Sequence, residues 1–393
     1  MKYLFVVLDG GGDIGPQTPL SLAKKPTIDF LAKSGIVGLL DLKYRERADS
    51  DVGYLKLLGC YSDDTYPGRG YLEALGLGLS PGEEDVCIRA NFVTLDSRGN
   101  VIDRRAGRDE RGLDRFCKLL DGMEIDGVHF TVKKSQGHRV VIILSGKNVS
   151  EKIISNDPKR TGVPLPQIAP KDKSAKFTAS VLNRFLYKAR KILSEQPENR
   201  ERTFPANALI IRNAGRKKIT KSFRERFSLN GVCISAMPVA KGVARFLGMN
   251  VLELDSIPEI DYELCEKTEE ITGAVNDYDF VFLHFNGTDI LSHNRDREGK
   301  RRFIEKIDQC LGTVLKGLDL KDMIVVITCD HRTASLPEYK GYEHLTDPVP
   351  VLIAGKGIEP DRIEKFDEEH AEQGSFKLEG NDLLYFIRRR IEK

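Results

Sequence analysis

Three short apolar runs in this chain stop at residues of the kinds that bind metals. Tyr3-Leu4-Phe5-Val6-Val7-Leu8 ends at Asp9-Gly10-Gly11, and Ile324-Val325-Val326-Ile327-Thr328 ends in Cys329-Asp330-His331. Between them, Phe280-Val281-Phe282-Leu283-His284-Phe285 leads into Thr288-Asp289 and then His293. Runs of this length read as buried strands, and parallel strands present functional residues where they end. Carboxylate is a hard ligand and imidazole a borderline one, the mixture expected of a site for one or two divalent cations. The pattern predicts an open α/β sheet carrying a metal-dependent enzyme site.

Each candidate ligand is weak alone. An Asp after a strand is commonly a helix cap or a turn former. Asp289 and His293, four apart, share a helical face, a spacing frequent on ordinary surfaces. Asp330-His331 is rarer, because a strand end there aims two adjacent side chains at one crevice. His344 follows thirteen residues on, before Asp347-Pro348-Val349-Pro350 and a further strand. The chain has seven histidines, and three of them belong to this set, so the joint reading is stronger than its parts. His284, inside a strand, reads as a core residue. His138, beside Arg139, is a candidate contact for an anionic substrate.

The remaining sequence sets the frame. A length of 393 residues fits two domains. Strand and helix alternate in residues 1–78 and again after about 222, with helices expected near Thr27–Ser34, Gly68–Leu75, Tyr262–Val275 and Lys300–Leu318. From about 85 the texture changes to strand-like runs (Ile88–Leu95, Val101–Asp103, Val128–Val132, Arg139–Leu144) with helices at Arg111–Leu120 and Ala175–Ser194. The expectation is a discontinuous α/β domain, 1–78 with 222–393, and a smaller α+β domain inserted at 79–221. The net charge of +2 gives no reason to invoke a nucleic-acid partner. No run reaches the roughly 18 apolar residues of a membrane helix. The N-terminal apolar stretch ends at Asp9, short of a signal segment, so a cytoplasmic protein is expected. Seven cysteines without C-x-x-C spacing suit a reducing compartment, and Cys329 reads as a packing residue.

Asp9, Ser50-Asp51-Val52-Gly53-Tyr54, Asp289 with His293, Asp330-His331 and His344, in this order, resemble the alkaline phosphatase superfamily. Within it the chain is similar to the cofactor-independent phosphoglycerate mutases of the archaeal-type branch. The likeness runs the whole length, through Gly68-Arg69-Gly70-Tyr71-Leu72-Glu73-Ala74-Leu75-Gly76, Arg89-Ala90-Asn91-Phe92, Asp103-Arg104-Arg105-Ala106-Gly107-Arg108, Gly137-His138-Arg139, Ala214-Gly215-Arg216 and Lys241-Gly242. The resemblance implies an alkaline-phosphatase-like, mostly parallel sheet with helices on both faces. It implies two divalent ions, manganese first, with magnesium, cobalt or zinc as alternatives, and no bisphosphoglycerate. One ion falls to Asp9, Ser50, Asp330 and His331, the other to Asp289, His293 and His344.

By the same resemblance Ser50 is the nucleophile, Lys241 neutralises the phosphoryl group, and Arg216 joins them as catalytic. Coordination would lower the pKa of a serine hydroxyl, otherwise a poor nucleophile at neutral pH. Arg104, Arg105, Arg108, His138, Arg139 and Arg212 are the candidates for a phosphoglycerate substrate, since guanidinium forks pair with carboxylate and phosphate. Metals on one domain and arginines on the other imply a cleft that closes and excludes water. The chain departs from the family pattern near the nucleophile. Tyr54 stands where the family has histidine, Asp49 and Cys329 where it has glycine, Arg332 where it has serine, and Asn286-Gly287 where it has lysine-alanine. The expected activity interconverts 3- and 2-phosphoglycerate through a phosphoserine. Its rivals are a phosphatase or phosphotransferase acting on another small phosphorylated metabolite, and a non-catalytic metal-stabilised binding protein.

Overall fold

The computed structural model describes residues 1–43, 48–254, 258, 260–339 and 344–391. The chain divides into two units, Met1–Asp64 with Thr220–Lys393, and Thr65–Ile219. The first boundary falls before the expected 79, because the helix Arg69–Gly76 packs on the smaller unit's strands. Its Gly70 lies so close to them that a Cβ there would stand 2.4 Å from Cys87 O and 2.6 Å from Asn213 O.

The larger unit is built on an eight-stranded sheet. Its strands are β1 (Lys2–Leu8), β2 (Gly35–Asp41), β3 (Gly231–Ile234), β4 (Asn250–Val251), β5 (Phe280–Phe285), β6 (Met323–Cys329), β7 (Val349–Gly355) and β8 (Phe376–Glu379). They lie in the order β4-β3-β5-β1-β6-β7-β2-β8. β1 pairs in parallel with both β5 and β6, while β7 runs antiparallel to β6 and β2. Successive strand residues face opposite sides of a sheet, so the unbroken burial of β5 and β6 requires both faces to be covered. The helix Thr268–Asp277 packs on β1 and β5, and Pro26–Lys33 on β2 and β7. The register aligns Leu8 with Phe285 on one side and Cys329 on the other. Asp9 and Asp330 therefore emerge level with each other at the same sheet edge, beside the segment that continues from β5.

Four helices carry or brace candidate site residues: α1 (Ser50–Leu57), α2 (Pro238–Phe246), α3 (Gly287–His293) and α4 (Arg297–Lys316). α1 abuts the end of β6 through Gly53, where a Cβ would lie 3.0 Å from Asp330 O. No described helix is long and apolar enough to cross a membrane.

The smaller unit holds an antiparallel sheet in the order Ala208–Gly215, Val86–Leu95, Arg139–Ser145, Val128–Lys134, Met123–Ile125, with Val101–Asp103 paired to Val86–Leu95. Burial alternates along Val128–Lys134, the mark of a sheet covered on one face. The helices Leu113–Leu120 and Lys176–Ser194 supply the cover, and Phe130 stacks on Phe185 at 4.3 Å.

Candidate metal centre

Asp9 leaves β1 with its N–H bonded to Phe285 O, and the chain turns at once through Gly10 at φ +57°. Glycine is required there: a Cβ would lie 2.3 Å from Thr333 Oγ1 and 2.8 Å from Asp289 Oδ1. Gly10 N–H donates to Asp330 Oδ1 at 2.9 Å, which cross-links the ends of β1 and β6. Lys300, fully buried on α4, ties the same two loops by donating to Gly12 O, Thr333 O and Asp13 Oδ2. From the end of β5, α3 carries Asp289 and His293 on one face, and His344 arrives on a separate segment.

The donor atoms of these residues converge. His331 Nε2 lies 3.2 Å from Ser50 Oγ, 3.3 Å from Asp330 Oδ2 and 3.5 Å from Asp9 Oδ1. Asp289 Oδ2 is 3.4 Å from His293 Nε2, Asp289 Oδ1 is 3.5 Å from His344 Nε2, and the two imidazole Nε2 atoms are 3.1 Å apart. Asp289, His293 and His344 form one group with metal-ligating spacing, and Asp9, Asp289 and His331 form another, so Asp289 is common to both.

Hydrogen-bond logic assigns the tautomers. Thr333 Oγ1 gives its proton to Asp289 Oδ1, so it accepts from His331 Nδ1 and leaves the Nε2 lone pair facing the carboxylates. His344 Nδ1 donates to Ala48 O and turns Nε2 to Asp289, whose carboxylate outweighs burial and raises the His344 pKa to about 9. Burial, reinforced by His344, pushes the His331 pKa down to about 3, so the ring is neutral. Burial and the charge of Asp9 hold the Asp330 carboxyl well above the usual range. Among the described residues Asp9 Oδ1 and Asp330 Oδ2 are buried without a hydrogen-bond partner. Two orphaned carboxyl oxygens, with the His331 lone pair aimed at the same space, are what a divalent cation would satisfy. The donor set fits the group expected from the sequence.

Ser50 opens α1, and Asp49 before it makes no side-chain cap. All seven metal-ligand candidates thus gather in the larger unit. Lys241 is held otherwise: on α2 its Nζ pairs with Glu253 Oε2 at 2.8 Å. Cys329 is buried, and burial raises its thiol pKa, in keeping with packing. Arg332 spends its Nε on Pro348 O.

In the smaller unit Arg104 forks onto Asp157 at 3.1 and 2.7 Å, and Arg212 reaches the same carboxylate at 3.3 Å. His138 is buried, its pKa pushed down to about 2 by burial and then by Arg139, Arg105, Arg89 and Arg212. Arg216 instead bonds Val149 O and pairs with Glu151. Arg108 sits at φ +57°, outside the sheet. Sequence reasoning missed the counter-charges. Glu73 lies between Arg69 and Arg89, and Asp157 between Arg104 and Arg212. His284 is the satisfied core residue that the sequence suggested, but its place beside Asp9 was not foreseen. It is fully buried, and its Nε2 stands 2.7 Å from the Tyr54 hydroxyl and 3.4 Å from Asp9 Oδ2. The sequence carried no signal of this, because the pairing of Val7 with His284 that sets the ring beside Asp9 exists only in the fold.

Residues 1–387 match the family described as the metalloenzyme superfamily. A 2,3-bisphosphoglycerate-independent phosphoglycerate mutase of Methanopyrus kandleri is 37% identical, over 100% of this chain and 97% of that protein. Its counterpart in Methanococcus aeolicus is 36% identical, over 94% of this chain and 92% of that one. Among solved structures, a cofactor-independent phosphoglycerate mutase of Thermoplasma acidophilum is similar at 31% identity and a TM-score of 0.68, with both chains fully covered. A protein of Pyrococcus horikoshii is similar at 29% identity and a TM-score of 0.80, over 100% of this chain and 97% of that one.

Proposed function

We infer the chain's function from its family: it belongs to the metalloenzyme superfamily and, within it, to the 2,3-bisphosphoglycerate-independent phosphoglycerate mutases. It is an isomerase that binds divalent metal, and its reaction interconverts 3- and 2-phosphoglycerate. The observation that supports the site is the gathering of Asp289, His293 and His344 in one group and of Asp9, Asp289 and His331 in another, with Ser50 and Asp330 beside His331 and the oxygens Asp9 Oδ1 and Asp330 Oδ2 left buried without a partner. We assign one ion to Asp9, Ser50, Asp330 and His331 and the other to Asp289, His293 and His344, manganese being the first choice. Divalent ions bound there supply Lewis-acid polarisation and neutralise phosphoryl charge.

The chain's own residues do the rest. Ser50 Oγ takes the phosphoryl group from one ester oxygen of phosphoglycerate, and the proton leaving the serine hydroxyl ends on that freed oxygen. The phosphoserine then sits at the N-terminus of α1, the end of a helix whose dipole favours an anion. The glycerate's other hydroxyl takes the phosphoryl group back and its proton returns to Ser50, so no water is consumed. Thr333 holds His331 in the tautomer that keeps Nε2 toward Ser50. Arg104 and Arg212, fixed by Asp157, with Arg105 and Arg139, present fork-shaped donors suited to the glycerate carboxylate, and His138 lies among them as a neutral imidazole. Lys241, paired with Glu253, has to leave that partner to meet a phosphoryl group. Seven buried free thiols suit the reducing cytoplasm in which such a substrate is used.

The test is turnover of 3-phosphoglycerate with added manganese and no bisphosphoglycerate, beside Ser50→Ala, with free phosphate measured in the same samples. Serine-dependent formation of 2-phosphoglycerate with little phosphate is expected. Phosphate without 2-phosphoglycerate would make the chain a hydrolase instead.

A further inference from the structure

The departure at Tyr54 leads to a buried hydrogen-bond relay behind Asp9. Tyr54 is four residues after Ser50 on α1, so the two share a face of the helix. Its side chain is fully buried, and its hydroxyl lies 2.8 Å from Asp9 Oδ2 and 2.7 Å from His284 Nε2. On its other side His284 Nδ1 is 2.9 Å from Ser235 Oγ, and Ser235 Oγ accepts the N–H of Met237 at 2.9 Å. The direction of each proton follows from the Asp9 end. Tyr54 gives its only proton to Asp9 Oδ2, so it accepts from His284 Nε2, and the imidazole then accepts at Nδ1 from Ser235 Oγ, which also takes Met237 N–H. Residues from the ends of β3 and β5 and from α1 thus act through one chain of bonds on a single carboxylate at the end of β1.

We propose that Tyr54, His284 and Ser235 are positioning residues that saturate Asp9 Oδ2 and present Oδ1 alone as the ligand atom, so that they set the affinity and coordination of the cation Asp9 holds. The proposal rests on the reading of Asp9 as a metal ligand. Oδ1 is the Asp9 oxygen left buried and unpartnered, which is what such a relay would produce. Without the phenol, the carboxylate is free to rotate and to offer both oxygens, so both the ligand count and the strength of binding change. Partners of this kind behind a ligand typically alter metal affinity by about 10–100-fold.

The experiment measures manganese binding by calorimetry on the full chain, and the cobalt(II) absorption spectrum of the cobalt-loaded protein. The variants are Tyr54→Phe, Ser235→Ala, His284→Leu and His284→Gln, each checked for folding by circular dichroism. Tyr54→Phe is expected to weaken manganese binding by about 10–100-fold and to alter the cobalt bands. Ser235→Ala, which touches neither Asp9 nor the cation, is expected to weaken binding in the same sense but less. His284→Gln, which keeps a donor toward Tyr54, is expected to recover part of what His284→Leu loses. Manganese affinity and cobalt spectra unchanged in folded Tyr54→Phe and Ser235→Ala would overturn the relay while leaving the metal site intact. Absence of manganese binding by the unmodified protein would instead overturn the metal reading beneath it.

Discussion

His138 shows how burial and charge act on one side chain. It lies among cations, with Arg139, Arg105, Arg89 and Arg212 all opposing its protonation, and burial opposes it more than any of them. The counter-charges nearby are committed elsewhere. Burial alone would raise the Glu73 pKa, but Arg89, Arg69 and Arg139 more than reverse that, so Glu73 stays ionised as their partner. A neutral His138 keeps a lone pair and adds no further charge to the cluster. The consequence for stability has a definite sign. The folded pKa is about 2, whereas an unfolded histidine titrates near 6.5. Below about pH 6.5 the unfolded chain therefore binds a proton that the folded chain refuses, and stability falls as the pH drops. From pH 7 to pH 5 the loss from this group is expected to be about 2 kcal/mol, read from urea unfolding at the two values. His138→Gln should flatten that dependence by the same amount. An equal slope in the variant would show that another group titrates. The sequence could flag His138 from its basic neighbour, but not Glu73 or Asp157, because carboxylates that neutralise buried arginines look like any others until the fold places them.

At the scale of elements, α3 is the piece on which two of the candidate ligands ride, and two contacts fix it. Gly287 packs against α4 so closely that a Cβ would lie 2.4 Å from the Phe303 ring. Asp261, fully buried, accepts the N–H groups of Asn286 and Gly287, and burial raises its pKa to about 6. Asp261→Ala leaves two buried N–H donors unsatisfied at about 1–3 kcal/mol each, enough to loosen the helix start. Lower thermal stability is expected together with weaker manganese binding, since Asp289 and His293 move with the helix. A variant that loses stability yet binds manganese as before would separate α3's fold from its ligand role. Such details explain which elements the sequence disclosed. β1, β5 and β6 were legible because an apolar run that stops at a charge has few other readings. The helix expected over Tyr262–Val275 is a 3-10 turn, Tyr262–Glu266, followed by a helix from Thr268, a break at Lys267 that periodicity does not register. β8 escaped notice because Phe376-Lys377-Leu378-Glu379, though it alternates as a half-buried strand does, is too short a run to stand out. Ala208–Gly215 was missed because its apolar start runs into Arg-Asn-Ala-Gly, where Asn213 is left-handed and the pairing shifts register.

For the whole molecule, the decisive fact is how far apart in sequence the candidate ligands are. They run from Asp9 to His344, yet all fall within Met1–Asp64 and Thr220–Lys393, while Thr65–Ile219 contributes none of them. An unfolded chain cannot hold such a constellation, so a cation bound there stabilises the folded larger unit by mass action. At a free concentration of 100 times Kd the gain is about 2.7 kcal/mol for one site. The smaller unit has a core of its own, built on Phe92, Phe116, Phe130 and Phe185, and that core is apolar and supplies no ligand candidate. Calorimetric scans with manganese are therefore expected to raise the transition that reports the larger unit and to leave a separate smaller-unit transition where it was. A chelator should return the larger unit's transition to its starting point. Asp9→Asn, which weakens a ligand while keeping the shape of the side chain, should blunt the manganese-dependent rise. If both transitions rose together, or only one cooperative transition were seen, the two units would share their stability. If neither rose, the gathered carboxylates and imidazoles would need another explanation than a cation.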